Sequence, residues 1–258
     1  MAEKSLPENS KGVVSGKKRK LLWCFLTALL CTVLFLLIWG AILIPGKLTS
    51  DNPRFNLRSH DVQGIGYWQK NSSELLRRVN ITPGVNVFNL NVGEIRKHLL
   101  GISNIESAEV QIVLPDMLIF RINERVPRAI VNKNFVIDEN GKIFKRSESA
   151  AADRTLPVIS GKRDKTLYKE AVALIMTANR ECRDIVINKI DIKDEFSMTV
   201  WLTYRGDRQW KVIFPVAKES YSILFNKLQN AILHCALKRD NPVGFNLRYR
   251  EYAIPIYD

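Results

Sequence analysis

Few residues of this 258-residue chain are of the types that carry out catalysis. The three histidines are His60, His98 and His234, and the last two lie on or beside helical apolar stripes, which indicates surface or boundary positions rather than a general base. Ser160 and Lys162 are near neighbours at a glycine turn, a pair too common to indicate an activated nucleophile. The chain contains no Cys-x-x-Cys, His-Glu-x-x-His, Gly-x-Ser-x-Gly or phosphate-binding glycine loop. We therefore predict no catalytic residue, no cofactor and no metal.

The four cysteines do not point to a redox or metal site either. Cys24 and Cys31 lie in a long apolar run, where they are most simply packing residues. Cys182 and Cys235 would pair only in an oxidising compartment, and Cys235 also fits the buried stripe of a helix. Whether these two form a disulfide is left open by the sequence.

An uncharged run at 21–44 follows directly on the basic cluster at 17–20. As a helix this run would rise about 36 Å, enough to cross a hydrocarbon core of roughly 30 Å. The apolar core of a cleaved signal is shorter, about 7–15 residues, and ends at a small-residue cleavage site. The run is longer and has no such site, so we predict a single transmembrane helix at 21–44.

The charges that flank this helix predict its orientation. Residues 1–20 carry six Lys or Arg and two Glu, and basic flanks stay on the cytoplasmic side. The sequence thus predicts a cytoplasmic tail at 1–20, a turn-rich linker at 45–54 and an extracytoplasmic remainder. The net charge is +13, of which the tail supplies +4. The other +9 is not arranged as an arginine tract interleaved with aromatics, which argues against nucleic-acid binding.

The periodicity of residues 55–125 predicts the order strand, helix, helix, strand, strand. Residues 55–58 alternate apolar and polar, as a half-buried strand does. Asn71 and Asn91 each precede a Glu by three positions, which predicts two helices with capped starts. Alternation on both sides of the turn at 115–116 predicts a pair of antiparallel strands.

Residues 126–258 are predicted to form a mixed sheet with two helices on one face, which places the outer part of the chain in the α+β class. Apolar residues spaced by three and four predict the two helices, around 167–178 and 221–235. The predicted strands include those at 186–193, 197–204, 208–214 and 243–254.

The last of these strands is the candidate binding site. A strand at the edge of a sheet leaves N–H and C=O groups unpaired, and these can accept an extra strand from a partner. Arg and Tyr are enriched at interface hot spots. We therefore predict five partner-binding residues, Phe245, Arg248, Tyr249, Arg250 and Tyr252. The alternative is that these residues only complete the sheet, with Tyr249 in its core.

Several motifs, in order along the chain, carry a resemblance to one family. The run SNIESAEVQIVLPDMLIFRINERVPRAIV at 103–131 resembles the end of a POTRA domain from the FtsQ/DivIB family of bacterial cell-division proteins. The hairpin-like segment 136–144, LPVISG at 156–161 and FNLRY at 245–249 resemble further motifs of that family. The chain departs from the family pattern at three places: Asn-Ile at 104–105, where Trp-Val is usual, Arg128, where Val is usual, and Asn246, where Asp is usual.

The resemblance implies a POTRA domain at 55–125 followed by an FtsQ-like β domain at 126–258. It also implies a bitopic protein of the bacterial inner membrane that acts as a scaffold of the divisome and is not an enzyme. In similar proteins the sheet edge at the end of the β domain receives segments of FtsB, itself coupled to FtsL. FtsB-like and FtsL-like proteins are therefore the expected partners, together with other division proteins that contact the POTRA block and the membrane itself. Arg248 and Tyr249 match the "RY" of that edge.

Two other classes of protein stay open. One is a membrane-anchored envelope enzyme that acts on peptidoglycan and assembles its site from residues distant in sequence. The other is a POTRA-bearing component of envelope assembly, although such proteins usually carry several repeats and this chain shows one candidate unit.

Overall fold

The computed structural model describes residues 23–39, 52–149, 155–206, 208–216 and 220–257. Residues 23–39 form helix α1, in which every residue is exposed. Among the described residues, no helix has both the length and the apolar character that crossing a membrane requires. The predicted tail, both ends of the predicted transmembrane helix and most of the predicted linker lie outside the described residues.

The chain divides into two compact units, each built from separate stretches of sequence. The first unit comprises the described part of Met1–Arg58 together with Pro83–Leu90 and Leu114–Asp116. The second comprises Ser59–Thr82, Asn91–Val113 and the described part of Met117–Asp258. The predicted domain boundary after residue 125 falls inside the second unit and stays a prediction.

In the first unit, the predicted strand at 55–58 is wrong. The chain there forms a 3-10 helix, Pro53–Phe55, and only an isolated bridge from Asn56 to Asn86 follows it. The Asn52 side chain caps this helix by accepting a backbone N–H at 3.0 Å. This local capping outweighs the apolar alternation that indicated a strand.

The smaller sheet of the second unit consists of β1 (Ser59–Gln63), β2 (Ile105–Val113) and β3 (Met117–Glu124), in the order β1-β3-β2. Strand β1 is parallel to β3, and β2 is antiparallel to β3. Phe120 and Ile122 of β3 are buried two residues apart, as expected for a strand with one face in a core. The antiparallel pair predicted from the alternation is confirmed.

Three α-helices and a 3-10 helix lie between β1 and β2 in the chain, namely α2 (Tyr67–Lys70), α3 (Ser72–Arg78), the 3-10 helix Val87–Asn89 and α4 (Val92–Gly101). Asn91 caps α4 as predicted, because its Oδ1 accepts two backbone N–H groups of the first turn. The predicted cap at Asn71 is wrong: its Nδ2 instead donates to the carbonyl oxygen four residues earlier, at 2.8 Å. The predicted order strand, helix, helix, strand, strand is met only in part, because the first strand is β1 at Ser59–Gln63 and not at 55–58, and α2 and α3 stand in place of a single first helix.

A larger sheet lies in the rest of the second unit, together with two helices. Its strands are β4 (Ala129–Asn132), β5 (Phe135–Ile137), β6 (Ile143–Lys145), β7 (Val158–Gly161), β8 (Ile185–Ile192), β9 (Ser197–Tyr204), β10 (Gln209–Pro215), β11 (Gly244–Asn246) and β12 (Ile254–Ile256). In the described residues their order is β12-β11-β10-β9-β8-β7-β4-β5-β6. The pairs β4–β7, β7–β8 and β10–β11 are parallel and the others are antiparallel. The predicted α+β class with a mixed sheet is confirmed.

Helices α5 (Lys165–Glu181) and α6 (Tyr221–Lys238) confirm the two helices predicted from apolar spacing. Asp164 caps α5 by accepting two backbone N–H groups at 2.8 and 3.1 Å. The apolar stripes of both helices and the central strands form one buried cluster. This cluster holds the strands that present the candidate site.

Candidate partner-binding site

The predicted strand at 243–254 is two strands, β11 and β12, joined by residues 247–253. The side chain of Asn246 ends β11, because its Oδ1 accepts the N–H of Arg248 at 3.1 Å and turns the chain. Strand β12 then returns antiparallel to β11, and it is the last strand of the sheet in the described residues. We call β11, β12 and the loop 247–253 the C-terminal edge.

Phe245 supports the C-terminal edge from inside. Its side chain is completely buried, and its ring stacks on Trp210 with centroids 5.5 Å apart. Next to it, Gly244 allows β11 to approach β10, since a Cβ there would lie 1.8 Å from the Lys211 carbonyl oxygen. Phe245 also lines the cavity beside α6 that is described below. That Phe245 contacts a partner stays a prediction, although its burial leaves little of the side chain accessible.

The other four predicted residues come together in the loop of the C-terminal edge. All are exposed, with Tyr249 at 51% and Tyr252 at 68% of their possible surface, so Tyr249 is not in the core. Lys227 of α6 holds the loop in place, because its Nζ donates to the carbonyl oxygens of residues 249 and 250 at 2.8 and 2.9 Å. That Arg248, Tyr249, Arg250 and Tyr252 contact a partner stays a prediction.

A cavity of about 410 Å³ lies between α6 and the C-terminal edge. Lys227, His234 and Lys238 of α6 line one side of it, and Tyr252 and Pro255 line the other. Sequence reasoning missed these helix residues as part of the site. Lys227, His234 and Lys238 are spaced by seven and four residues, so they lie on one side of α6 as a polar stripe next to its buried apolar stripe. This spacing is a signal from which the sequence could have identified them.

Two titratable groups beside the C-terminal edge are shifted by their surroundings. The hydroxyl of Tyr257 donates to Asp240 at 2.5 Å, and this hydrogen bond raises the pKa of the tyrosine. Burial raises the pKa of the Cys235 thiol, which lines the cavity. Cys182 and Cys235 are both buried free cysteines, so the disulfide that the sequence left open is not formed here.

Strand β12 offers only a short template to an added strand. It has three residues, and Pro255 at its centre lies opposite Phe245 and has no N–H to donate. No strand pairs with the outer side of β12 among the described residues. An incoming strand would therefore depend on the exposed side chains of the neighbouring loop as well as on the backbone.

Ser160 and Lys162, which are near neighbours in sequence, bond to different acidic residues. Ser160 Oγ donates to Asp191 at 2.9 Å, whereas Lys162 pairs with Glu195, and that hydrogen bond raises the pKa of the lysine. A lysine held protonated is a poor base for a neighbouring serine. In the part of the chain that the structure describes, no group of three or more His, Cys, Asp or Glu could hold a metal ion.

Residues of the run 103–131 make ion pairs and hydrogen bonds with other parts of the fold. Arg125 Nη1 pairs with the buried carboxylate of Asp138 at 2.8 Å, which joins the run 103–131 to the hairpin-like segment 136–144. Glu124 Oε1 accepts the N–H of Trp68 at 2.7 Å. Asn104, the departure from the family pattern, is itself buried and accepts a hydrogen bond from Trp68 Nε1 at 3.0 Å. A tryptophan from α2 thus occupies the neighbourhood of the position where the family usually has one.

The fold and site define a class of α+β protein that presents an exposed sheet edge bearing arginines and tyrosines. The chain is 32% identical over 128 residues to the cell division protein FtsQ of Syntrophotalea carbinolica, and the match covers 48% of this chain and 44% of that protein. It is 30% identical over 129 residues to the cell division protein FtsQ of Myxococcus fulvus, with 49% and 44% covered. The match thus spans less than half the length of these curated relatives. No family model matches the chain.

These two relatives support the FtsQ/DivIB family of cell-division proteins for this chain. The resemblance drawn from the motifs is therefore confirmed.

Proposed function

We propose that the protein is a bitopic scaffold of the bacterial divisome. Residues 21–44 anchor it in the inner membrane, the tail at 1–20 is cytoplasmic, and a POTRA domain and a β domain face the periplasm. It is not an enzyme, and its role is to recruit and link division proteins. Tethering to one membrane raises the effective concentration of partners that are anchored in the same surface.

The C-terminal edge is the observation that carries this proposal. Arg250 and Tyr252 are exposed on a loop that Lys227 fixes to α6, so the side chains are presented from a rigid support. A preordered loop loses little entropy when a partner binds. The unpaired outer side of β12 adds a backbone template beside the loop.

The partners that this edge fits are FtsB-like and FtsL-like bitopic proteins. A segment of the FtsB-like partner would extend the sheet beside β12, and its side chains would contact the loop and enter the cavity against α6. The cavity is lined by Lys227 and Lys238 on the helix and also by Asp240 and Glu251, so it offers charges of both signs to a polar side chain of the partner. The FtsL-like protein would be held through its own coupling to the FtsB-like one.

Capture of the partner by the full-length chain tests the proposal. We expect the double substitution Arg250→Ala with Tyr252→Ala to weaken binding of the host's FtsB-like protein by roughly thirtyfold, because two hot-spot residues together contribute about 2 kcal/mol or more. Arg183→Ala is the matched control, since Arg183 is exposed and lies outside the C-terminal edge. Unchanged capture by the double variant, in a chain that unfolds like the wild type, would contradict the proposed site.

A further inference from the structure

The larger sheet has a second free edge at β6, which pairs on one side only among the described residues. The backbone hydrogen bonds fix which groups are free. Asp138 N–H donates to the Lys142 carbonyl and Arg146 N–H to that of Asn134. In an antiparallel ladder the bonded residues alternate, so residues 142, 144 and 146 face β5. The N–H and C=O groups of Ile143 and Lys145 therefore point to the open side.

Apolar side chains are exposed beside this β6 edge. Phe135 is 40% exposed and Ile143 39%, and both lie on the same face of the β5–β6 hairpin. With Tyr168 of α5 they line a cavity of about 500 Å³, and Phe135 also lines a second one of about 580 Å³ next to it. The edge thus offers unpaired backbone groups together with apolar space for a side chain.

The charged side chains that line these two cavities are all basic. The two cavities are lined by six basic residues, Lys133, Lys142, Lys145, Arg146, Arg163 and Lys165. None of the described residues that line them is acidic. Three carboxylates close by in the chain have other partners, since Asp164 caps α5, Glu139 pairs with Arg128, and Glu148 bonds Arg78 and Lys145.

We propose that the β6 edge docks an acidic, extended segment of a protein partner as an added strand. The free N–H and C=O groups of Ile143 and Lys145 pair with the backbone of that segment. One of its apolar side chains enters the cavity beside Phe135, and its carboxylates lie against the surrounding lysines. This surface is separate from the C-terminal edge, because β6 and β12 are at opposite ends of the strand order.

The binding of synthetic peptides to the full-length chain tests this proposal. The probe is a fluorescent peptide of alternating Glu and Val, compared with one of alternating Lys and Val. We expect the acidic peptide to bind, the basic one not to bind, and Lys142→Glu with Lys165→Glu to weaken the acidic peptide by about tenfold. Methylating the backbone nitrogens on the edge of the peptide that meets β6 should abolish binding, whereas methylation on its other edge should not.

A pair of variants at Lys145 separates the backbone from the charge. The φ of Lys145 is −70°, a value that proline adopts without strain, so Lys145→Pro removes the outward N–H and leaves the ladder with β5 intact. Lys145→Ala removes the same charge and keeps the N–H. We expect Lys145→Pro to bind the acidic peptide about fivefold more weakly than Lys145→Ala, the effect of one lost hydrogen bond.

Equal binding by these two variants would overturn the proposal, as would full binding of both methylated peptides. A competition experiment with dextran sulfate, an anionic polysaccharide, can also contradict the proposal. The contrary result is that dextran sulfate displaces the peptide and binds the Lys145→Pro and Lys145→Ala variants equally well. The surface would then attract polyanions without adding a strand. Loss of capture at the C-terminal edge is measured separately, so the two proposals fail independently.

Discussion

The ion pair between Arg125 and Asp138 allows a quantitative test of the reasoning about the motifs. The Asp138 side chain is 3% exposed, and Arg125 Nη1 lies 2.8 Å from its Oδ2. Removing one partner of a buried ion pair costs about 3–5 kcal/mol, because the other charge is left without compensation. Asp138 keeps two backbone N–H bonds on Oδ1, and the arginine is 19% exposed. We therefore expect Arg125→Met to lower the free energy of unfolding by about 3 kcal/mol.

Urea unfolding of the full-length chain in detergent micelles, followed by tryptophan fluorescence, measures this loss. Arg128→Met is the control, because Arg128 also reaches a carboxylate at 3.0 Å, but its partner Glu139 is 51% exposed. An exposed pair contributes at most about 1 kcal/mol. Adding Asp138→Asn to Arg125→Met should recover part of the loss, since the uncompensated charge is gone. A loss at Arg125 no larger than at Arg128, or no recovery in the double variant, would refute the reasoning.

Two further predictions concern titration and thiols. The backbone N–H of Phe196 and other hydrogen bonds lower the pKa of Asp194 in the folded chain. The ionised carboxylate therefore stabilises the fold above the ordinary aspartate pKa of about 3.9, and this stabilisation is lost as the pH falls through the lower pKa of the folded state. Acid titration should therefore destabilise the wild type more than Asp194→Asn, and parallel curves would contradict this. Cys182 and Cys235 are buried free thiols whose pKa values are raised by burial, so both should react with a thiol reagent only after unfolding, without any reductant. Mass spectrometry that finds them linked would contradict the structure.

The sequence was sufficient for elements whose pattern is local. Helices α5 and α6 follow from apolar residues spaced by three and four, and the β2–β3 pair follows from alternation around one turn. These patterns are read correctly because each element buries a single face against a core, so the periodicity of the residues matches that of the backbone.

The errors occurred where a polar side chain bonds its own backbone. Asn52 begins a 3-10 helix and Asn246 ends β11, and in both places the apolar alternation continued through the turn. An asparagine can bond locally or point to solvent, and the choice depends on packing that the sequence does not show. The alternative that Tyr249 lies in the core is wrong, because β11 ends before it and its side chain is half exposed.

The candidate site was predictable only in part. The exposed arginines and tyrosines of the loop 247–253 could be singled out by residue type, and the burial of Phe245 could have been inferred from its apolar neighbours. The contribution of Lys227 could not, because its contact with the loop joins residues 22 and 23 positions apart. The free edge at β6 depends on the order of all the strands, which no local pattern determines.

The parallel pairing of β10 with β11 has a consequence for how the chain folds. The two strands are separated by α6, so β11 can join the sheet only after a crossover of nearly thirty residues has closed. Until then β10 ends the sheet and presents a seven-residue strand with Val212 and Phe214, whereas β12 has only three residues. An incompletely folded molecule would therefore be open to aggregation and chaperone capture at that strand.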